Sequence, residues 1–341
     1  MTTRNGVTSS RALLLDALRE SERFLLTTHE HPDGDALGSL AATQMVLCAM
    51  GKDAVSFLAA EEFPLPYEYR FLELPQLVTS VPEDVGDRTV VFLDCGNIDR
   101  NPAGALKLGG RILNIDHHHD NTRFGTVDHV VPDASCTAEV IWDLMPGLGV
   151  ALTQPIAEAL YVGLVTDTGR FMYENTGARA HEMAAQLIAA GVDAHEIYRR
   201  LYEGVPQGKL ELLARGLSAV ERFDGGLLTV SQLTREDYAV TGADESYSEG
   251  VVDHLRSVEG TAMAGLVREL LPRPEDGSPP ESPAAPSRRK VSLRATDDRV
   301  DVSAIARALG GGGHRRAAGF STDLEFGELV SFLRARLAEQ L

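Results

Sequence analysis

The densest chemistry in this sequence lies in Thr28-His29-Glu30-His31-Pro32-Asp33-Gly34-Asp35-Ala36-Leu37-Gly38-Ser39, where an apolar run passes into a helix-like stretch. Two carboxylates, Asp33 and Asp35, meet the imidazole of His29 within one turn. Like charges gathered in a partly dry turn repel one another and resist desolvation, so a cation is their simplest partner. Asp33 and Asp35 straddle Gly34, which lets their side chains reach one cleft but separate ions, and Gly34 permits a positive φ if the turn needs one. His29, four residues before Asp33, completes the ligands of the first ion. The competing reading is an Asx turn with Asp35 as the N-cap of the next helix and the histidines at the surface.

Three further clusters weigh against that reading. Asp94 follows Val90-Val91-Phe92-Leu93, Asp116-His117-His118-His119 follows Arg111-Ile112-Leu113-Asn114-Ile115, and Asp167 lies in Gly163-Leu164-Val165-Thr166-Asp167-Thr168-Gly169. Each places an acid where an apolar strand is expected to end. If Asp33, Asp35, Asp94 and Asp167 are ionised and His29 and His117 neutral, the four carboxylates balance two divalent ions. A bridging Asp94 would hold those ions roughly 3.5 to 4 Å apart, a spacing that suits in-line displacement at phosphorus. Carboxylates mixed with imidazoles suit Mn²⁺, with Mg²⁺, Co²⁺ or Zn²⁺ compatible, and the absence of thiolates from the set argues against a structural zinc site.

The elements that must position these groups alternate. Strands are expected at 24–28, 54–58, 89–93, 111–115 and 159–164, with helices at 38–50, 137–144 and 178–190, the pattern of an α/β domain with a mostly parallel sheet covered by helices. Ligands in such sheets bind beyond the carboxyl ends of the strands, so one shared cleft is expected. This first domain spans 1–194, and a polar connector helix is expected over 195–222. A smaller α/β domain over 223–341 has β-like runs at 227–232, 261–270 and 290–295 and closes with a helix carrying Leu329, Leu333 and Leu337 on one face. An insertion at 272–289 holds six of the sixteen prolines and is expected to be a disordered loop between two paired strands.

The second domain carries its own chemistry in Leu309-Gly310-Gly311-Gly312-Gly313-His314-Arg315-Arg316-Ala317-Ala318-Gly319-Phe320. Successive glycines expose backbone N–H groups that can form an anion nest, with His314 and the arginines adding charge. A bland glycine loop ending a helix is the alternative.

Bulk properties narrow the partners. A chain of 341 residues, 43% hydrophobic, can bury two modest cores. Its net charge of -18 argues against coating long DNA or RNA, which calls for a basic face, but leaves a short substrate held at a local cluster. Cys48, Cys95 and Cys136 show no paired spacing and are expected to fill the core or sheets, which fits a reducing cytoplasm. No apolar h-region opens the chain and no run approaches the roughly 18 apolar residues of a membrane helix. His129, His181, His195 and His254 stand apart from the clusters and are expected at the surface or as caps, while His31 and His119 flank the site.

The ordered set His29-x-x-x-Asp33-x-Asp35, Asp94, Asp116-His117-His118 and Asp167 resembles the motifs of the DHH phosphoesterase superfamily over about residues 20–190. The resemblance implies that His29, Asp33, Asp35, Asp94, His117 and Asp167 hold two Mn²⁺ ions. It implies that His118 contacts the scissile phosphate, with Asp116 orienting an imidazole. Gly311-Gly312-Gly313-His314 resembles the GGGH loop of the nucleotide-binding domain that accompanies DHH domains in bacterial nanoRNases and 3'-phosphoadenosine-5'-phosphate phosphatases, and Ser292 with Arg294 resembles its substrate-contacting strand. The implied activity is hydrolysis of short RNA or DNA oligonucleotides, or of 3'-phosphoadenosine-5'-phosphate, to mononucleotides by a homodimer. Rival readings are a cyclic dinucleotide phosphodiesterase, a pyrophosphatase, and a non-catalytic nucleotide sensor; the complete ligand set disfavours the sensor, and the GGGH-type loop disfavours the pyrophosphatase.

Overall fold

The computed structural model describes residues 4–101, 103–271 and 288–341. The chain divides into two compact units, Met1–Gly204 and Val205–Leu341. In the first, α1 (Arg4–Glu20) leads to β1 (Arg23–Thr27), α2 (Gly34–Ala49), β2 (Asp53–Phe57), β3 (Leu77–Val78), β4 (Thr89–Leu93), β5 (Arg111–Asp116) and β6 (Val127–Val130). The helices α3 (Thr137–Leu148), α4 (Gln154–Asp167), α5 (Ala178–Ala189) and α6 (Ala194–Tyr202) follow.

The six strands form one parallel sheet in the order β3-β2-β1-β4-β5-β6. Sequence order reverses between β1 and β4, and a parallel α/β sheet opens its ligand crevice at such a reversal. Val90, Val91, Phe92 and Leu93 of β4 are all buried, because a central parallel strand is covered on both faces and reads as a continuous apolar run.

The stretch 159–164, expected as a strand, lies inside α4. That helix is packed by α2, α3 and α5, and its buried residues Ile156, Ala157, Ala159, Leu160, Tyr161, Val162, Gly163, Leu164 and Val165 leave no polar face to mark a 3.6-residue period. A short apolar run without periodicity does not distinguish a strand from a buried helix. The α2–α4 contact depends on glycine: a Cβ on Gly38 would lie 2.4 Å from the carbonyl oxygen of Ala159. Gly34 likewise serves close approach, to Thr166, and does not take a positive φ.

The stretch 195–222 is not one connector helix. It is broken between α6 and α7 (Gln207–Ser218), where Gly204 takes a positive φ of 71° and Pro206 caps α7. The second unit continues with β7 (Glu221–Phe223), β8 (Leu228–Leu233), α8 (Arg235–Thr241), α9 (Val251–Arg256), β9 (Met263–Glu269), β10 (Arg289–Ala295), α10 (Val302–Arg307), β11 (Gly312–His314), β12 (Ala317–Thr322) and α11 (Phe326–Ala338). Its sheet order is β11-β12-β10-β9-β8-β7, antiparallel except for the β8–β9 pair. Val291 and Leu293 of β10 pack with Val302, Ile305, Leu329 and Leu333, while Ala264 and Leu266 of β9 pack with Leu212, Tyr238 and Leu255. β9 and β10 pair as the expected strands do, and the expected disordered insertion lies, over 272–287, outside the described residues. Among the described residues no helix is long and apolar enough to cross a membrane.

Two side-chain expectations are corrected. Cys48 is exposed rather than a core filler, unlike the buried Cys95 and Cys136. His129 is buried on β6, its Nδ1 2.9 Å from the Ser10 hydroxyl, because α1, which the sequence reading did not include, packs over that strand. Burial, with Arg11 adding and Asp143 opposing, pushes the imidazole down to about 4. The folded state therefore holds His129 neutral while the unfolded chain protonates it near 6.5, so its contribution is present above about pH 6.5 and fades as pH falls towards 4. The full loss is roughly 3 kcal/mol. Urea unfolding at pH 7 and pH 4.5 should show a smaller acid loss in His129→Gln than in the parent; equal losses in both would remove this account.

Candidate active site

The first unit brings His29, Asp33, Asp35, Asp94, His117 and Asp167 to one end of its sheet. His29 follows β1, Asp94 follows β4, and His117 follows β5, while Asp33 and Asp35 open α2 and Asp167 ends α4. Ligand atoms of His29, Asp33 and Asp94 lie within 4.8 Å of one another, and so do those of Asp35, Asp94 and His117. Asp167 joins the second group, its Oδ2 3.6 Å from His117 Nε2. Asp94 belongs to both groups and lies between them, with Oδ2 3.6 Å from His29 Nε2 and Oδ1 3.7 Å from His117 Nε2.

Both imidazoles are set by backbone carbonyls. His29 Nδ1 donates to the Glu30 oxygen at 2.7 Å and His117 Nδ1 to the Ala134 oxygen at 3.3 Å. A carbonyl can only accept, so each Nδ1 carries the proton and each Nε2 turns a lone pair to the cluster, the tautomer a metal requires. Asp33, not Asp35, is the N-cap of α2: its Oδ1 accepts from the N–H groups of Asp35 and Ala36 at 3.1 and 3.0 Å. Capping and a place in the acidic cluster are thus compatible, because one carboxylate has two oxygens.

Burial first, and then Asp94, Asp167 and Asp33, raise the Asp35 carboxyl well above its ordinary range. Burial likewise lifts Asp167 to about 7 against the pull of His117, with Asp94 and Asp33 adding. Asp94 moves the other way: burial opposes it, but the charged ring of His118 draws it well below the usual carboxylate range. Acids that repel one another and imidazoles with lone pairs turned inward form a donor set that fits divalent cations.

His118 is held differently. Its Nδ1 lies 2.7 Å from Asp116 Oδ1, and Asp116 is fully buried, also accepting from His117 N at 2.8 Å and Asn121 Nδ2 at 2.5 Å. Burial works against a charged His118, but Asp116 and Asp94 outweigh it and raise the ring to about 10. Asp116 therefore orients His118 rather than His117. His31 and His119 are exposed at the margin, and the main chain of His31 donates to Glu62 Oε2 at 2.9 Å. His181, His195 and His254 are exposed, with His181 stacked on Phe171.

Sequence reasoning missed the loop that braces the cluster. At the start of α3, the N–H groups of Thr137 and Ala138 donate to the two Asp35 oxygens at 2.6 and 2.9 Å. The Thr137 hydroxyl donates to Asp94 Oδ1 at 3.0 Å. Asn175 Nδ2 donates both to the Ser135 carbonyl at 2.7 Å and to Asp167 Oδ2 at 3.2 Å. Together with Ala134, this short segment holds four members of the set. The sequence signal was only a helix start at 137, which does not reveal what that N-terminus faces.

In the second unit, β-register gathers the expected contacts. Ser292 pairs with Gly319, which pairs with Gly312, and Arg294 pairs with Ala317, which pairs with His314. The glycine run ends α10, with Gly310 at a positive φ of 76° and Gly311 N donating to the Ala306 oxygen at 2.9 Å, and it also packs closely on β12: a Cβ on Gly311 would be 2.1 Å from the Gly319 oxygen.

Comparison with known proteins agrees with this geometry. The model of the DHH family N-terminal domain matches residues 23–164, and that of the DHHA1 domain residues 238–339. Over 298 residues the chain is 35% identical to the bifunctional oligoribonuclease and PAP phosphatase NrnA of Thermus thermophilus, spanning 86% of this chain and 82% of that one. The chain belongs to the DHH family. A Bacillus subtilis relative of this DHH protein, also named bifunctional oligoribonuclease and PAP phosphatase NrnA, is 25% identical and covers 88% of this chain and 89% of its own. An exopolyphosphatase-related protein from Bacteroides fragilis shares the fold at a TM-score of 0.81 and 21% identity, covering 97% of this chain and 96% of that one. As a DHH phosphoesterase, the protein is a hydrolase.

Thr137→Val keeps side-chain shape and deletes the hydroxyl bonded to buried Asp94. Mn²⁺ titration by calorimetry should show about tenfold weaker binding with a similar melting temperature; parent-like affinity would discount the brace.

Proposed function

We propose that this protein is a two-metal phosphoesterase that hydrolyses short oligonucleotides and 3'-phosphoadenosine-5'-phosphate to mononucleotides. The observation that carries the reading is the shared position of Asp94, whose carboxylate belongs to two ligand groups at once. His29, Asp33 and Asp94 are the proposed ligands of one ion, and Asp35, Asp94, His117 and Asp167 of the other. Hard carboxylates with two imidazoles favour Mn²⁺, with Mg²⁺ and Co²⁺ also suited. When bound, such a pair supplies Lewis-acid activation of water and neutralises charge on the transferring phosphoryl group.

The chain's own residues do the rest. Asp116 fixes His118 so that the ring can donate to an oxygen of the scissile phosphate, lowering the cost of charge as water adds to phosphorus and the ester bond opposite breaks. Thr137, Ala138 and Asn175 hold the carboxylates in place, which limits reorganisation during the step. In the second unit, Ser292, Arg294, Gly311, Gly312, Gly313 and His314 are the proposed contacts for a phosphate or nucleotide of the substrate. Short substrates are supported by the net charge of -18, which opposes a long polyanion. They are supported also by the names of the relatives from Thermus thermophilus and Bacillus subtilis.

Asp94→Asn preserves size while removing the shared charge. With Mn²⁺, release of mononucleotide from a dinucleotide should fall by about a hundredfold or more. A product-resolved panel of 3'-phosphoadenosine-5'-phosphate, di- to pentanucleotides, cyclic dinucleotides and pyrophosphate should favour the first two classes. Full turnover by the variant, or preference for pyrophosphate, would sink the proposal.

A further inference from the structure

One side chain of the second unit is out of balance with its surroundings. Arg268, on β9, donates from Nη1 to the Ser248 hydroxyl at 3.1 Å and from Nη2 to the Ser292 hydroxyl at 2.6 Å. Its Nε is buried with no hydrogen-bond partner. Among the described residues no carboxylate forms an ion pair with it, and Glu249 and Glu245 act on it only through their field. Burial draws the guanidinium below the ordinary arginine range against the pull of Tyr238, Glu249 and Glu245, and Arg294 adds to the drop. Arg268 as a whole is half-buried, and a guanidinium with hydroxyl partners and a buried, unpartnered Nε is relieved when an anion arrives.

Its neighbours on the sheet are basic or carry hydroxyls. Lys290 stands directly opposite Arg268 in the β9–β10 register, and Ser292 and Arg294 follow at alternate positions on the same face of β10. Like charges opposite one another on paired strands are destabilising. Asp253 Oδ1 lies 3.4 Å from Arg294 Nε and 3.2 Å from Arg256 Nε. Because the Ser292 oxygen accepts from Arg268, its own proton is left to donate elsewhere.

We propose that Arg268 is the half-buried cationic floor of a phosphate-binding site, a positioning residue that fixes the Ser292 hydroxyl as a donor and leaves positive charge for a substrate phosphate to answer. The inference rests on the proposed function, which already places Ser292 and Arg294 at substrate, and extends it to a residue one strand away. Arg268 acts through Ser292 and through its field, which strengthens where water is excluded.

The test separates binding from catalysis. In EDTA, calorimetry with 3'-phosphoadenosine-5'-phosphate is compared for the full-length parent, Arg268→Met and Arg268→Lys, with adenosine as the phosphate-free control. Arg268→Met should bind the bisphosphate about tenfold or more weakly while its melting temperature stays level or rises, because a half-buried cation without an ion pair has been removed. Arg268→Lys, which keeps the charge, should recover most of the affinity, and adenosine binding should not follow the series. Parent-like affinity in Arg268→Met, equal losses in both variants, failure of Arg268→Met to fold, or no bisphosphate binding by the parent would each overturn the proposal. Arg268-dependent binding without metal-dependent hydrolysis would instead leave this inference standing and remove the proposed function.

Discussion

The first unit is organised around the cost of holding several carboxylates together out of water. Asp35 and Asp94 are almost fully buried, and Asp33 and Asp167 lie close enough to raise the Asp35 carboxyl further. Such a group is unfavourable unless donors and cations answer it, and the surrounding structure supplies donors and inward-facing lone pairs that suit cations. Two imidazoles turn lone pairs inward because backbone carbonyls have taken their Nδ1 protons. Two N–H groups at the start of α3 close on Asp35, where the positive end of a helix is already favourable for negative charge.

Parallel topology makes this concentration possible. In a sheet of order β3-β2-β1-β4-β5-β6, the carboxyl ends of β1, β4 and β5 are adjacent, so residues far apart in sequence leave the sheet at one edge. Asp94 shows how tightly the position is specified. It takes a left-handed φ of 55°, a conformation that Asp tolerates better than most side chains. The α2–α4 seam adds the other half: glycines at 34, 38 and 163 allow the two helices to approach until Asp35 and Asp167 share one cluster.

The second unit solves a complementary problem. Its sheet buries Val291, Leu293 and Ala295 on one face of β10 and leaves Lys290, Ser292 and Arg294 on the other, a plain period-two alternation. Positive groups are thereby aligned along a strand, with hydroxyls and glycines across the neighbouring strands. The first unit gathers negative charge at one end of its sheet, and this face of the second gathers positive charge.

Much of this was legible from residue order. Apolar runs ending in Asp located two strand ends, at Asp94 and Asp116, and the spacing of His29, Asp33 and Asp35 marked a charged turn, because local propensity and short-range charge act over a few residues. The fourth acid was found for the wrong reason: 159–164 is helix, since a segment buried on every side carries no amphipathic period. His129 was misplaced because α1, which covers it, was not anticipated. Thr137, Asn175 and Arg268 carry no local signature at all, for a threonine at a helix start, an asparagine in a loop and an arginine in a strand are commonplace. Residue order alone sets which charges the chain must reconcile. Which donors reach them is settled by packing in three dimensions, because a hydrogen bond requires about 3 Å between its partners, and Thr137 and Asp35 stand more than a hundred positions apart.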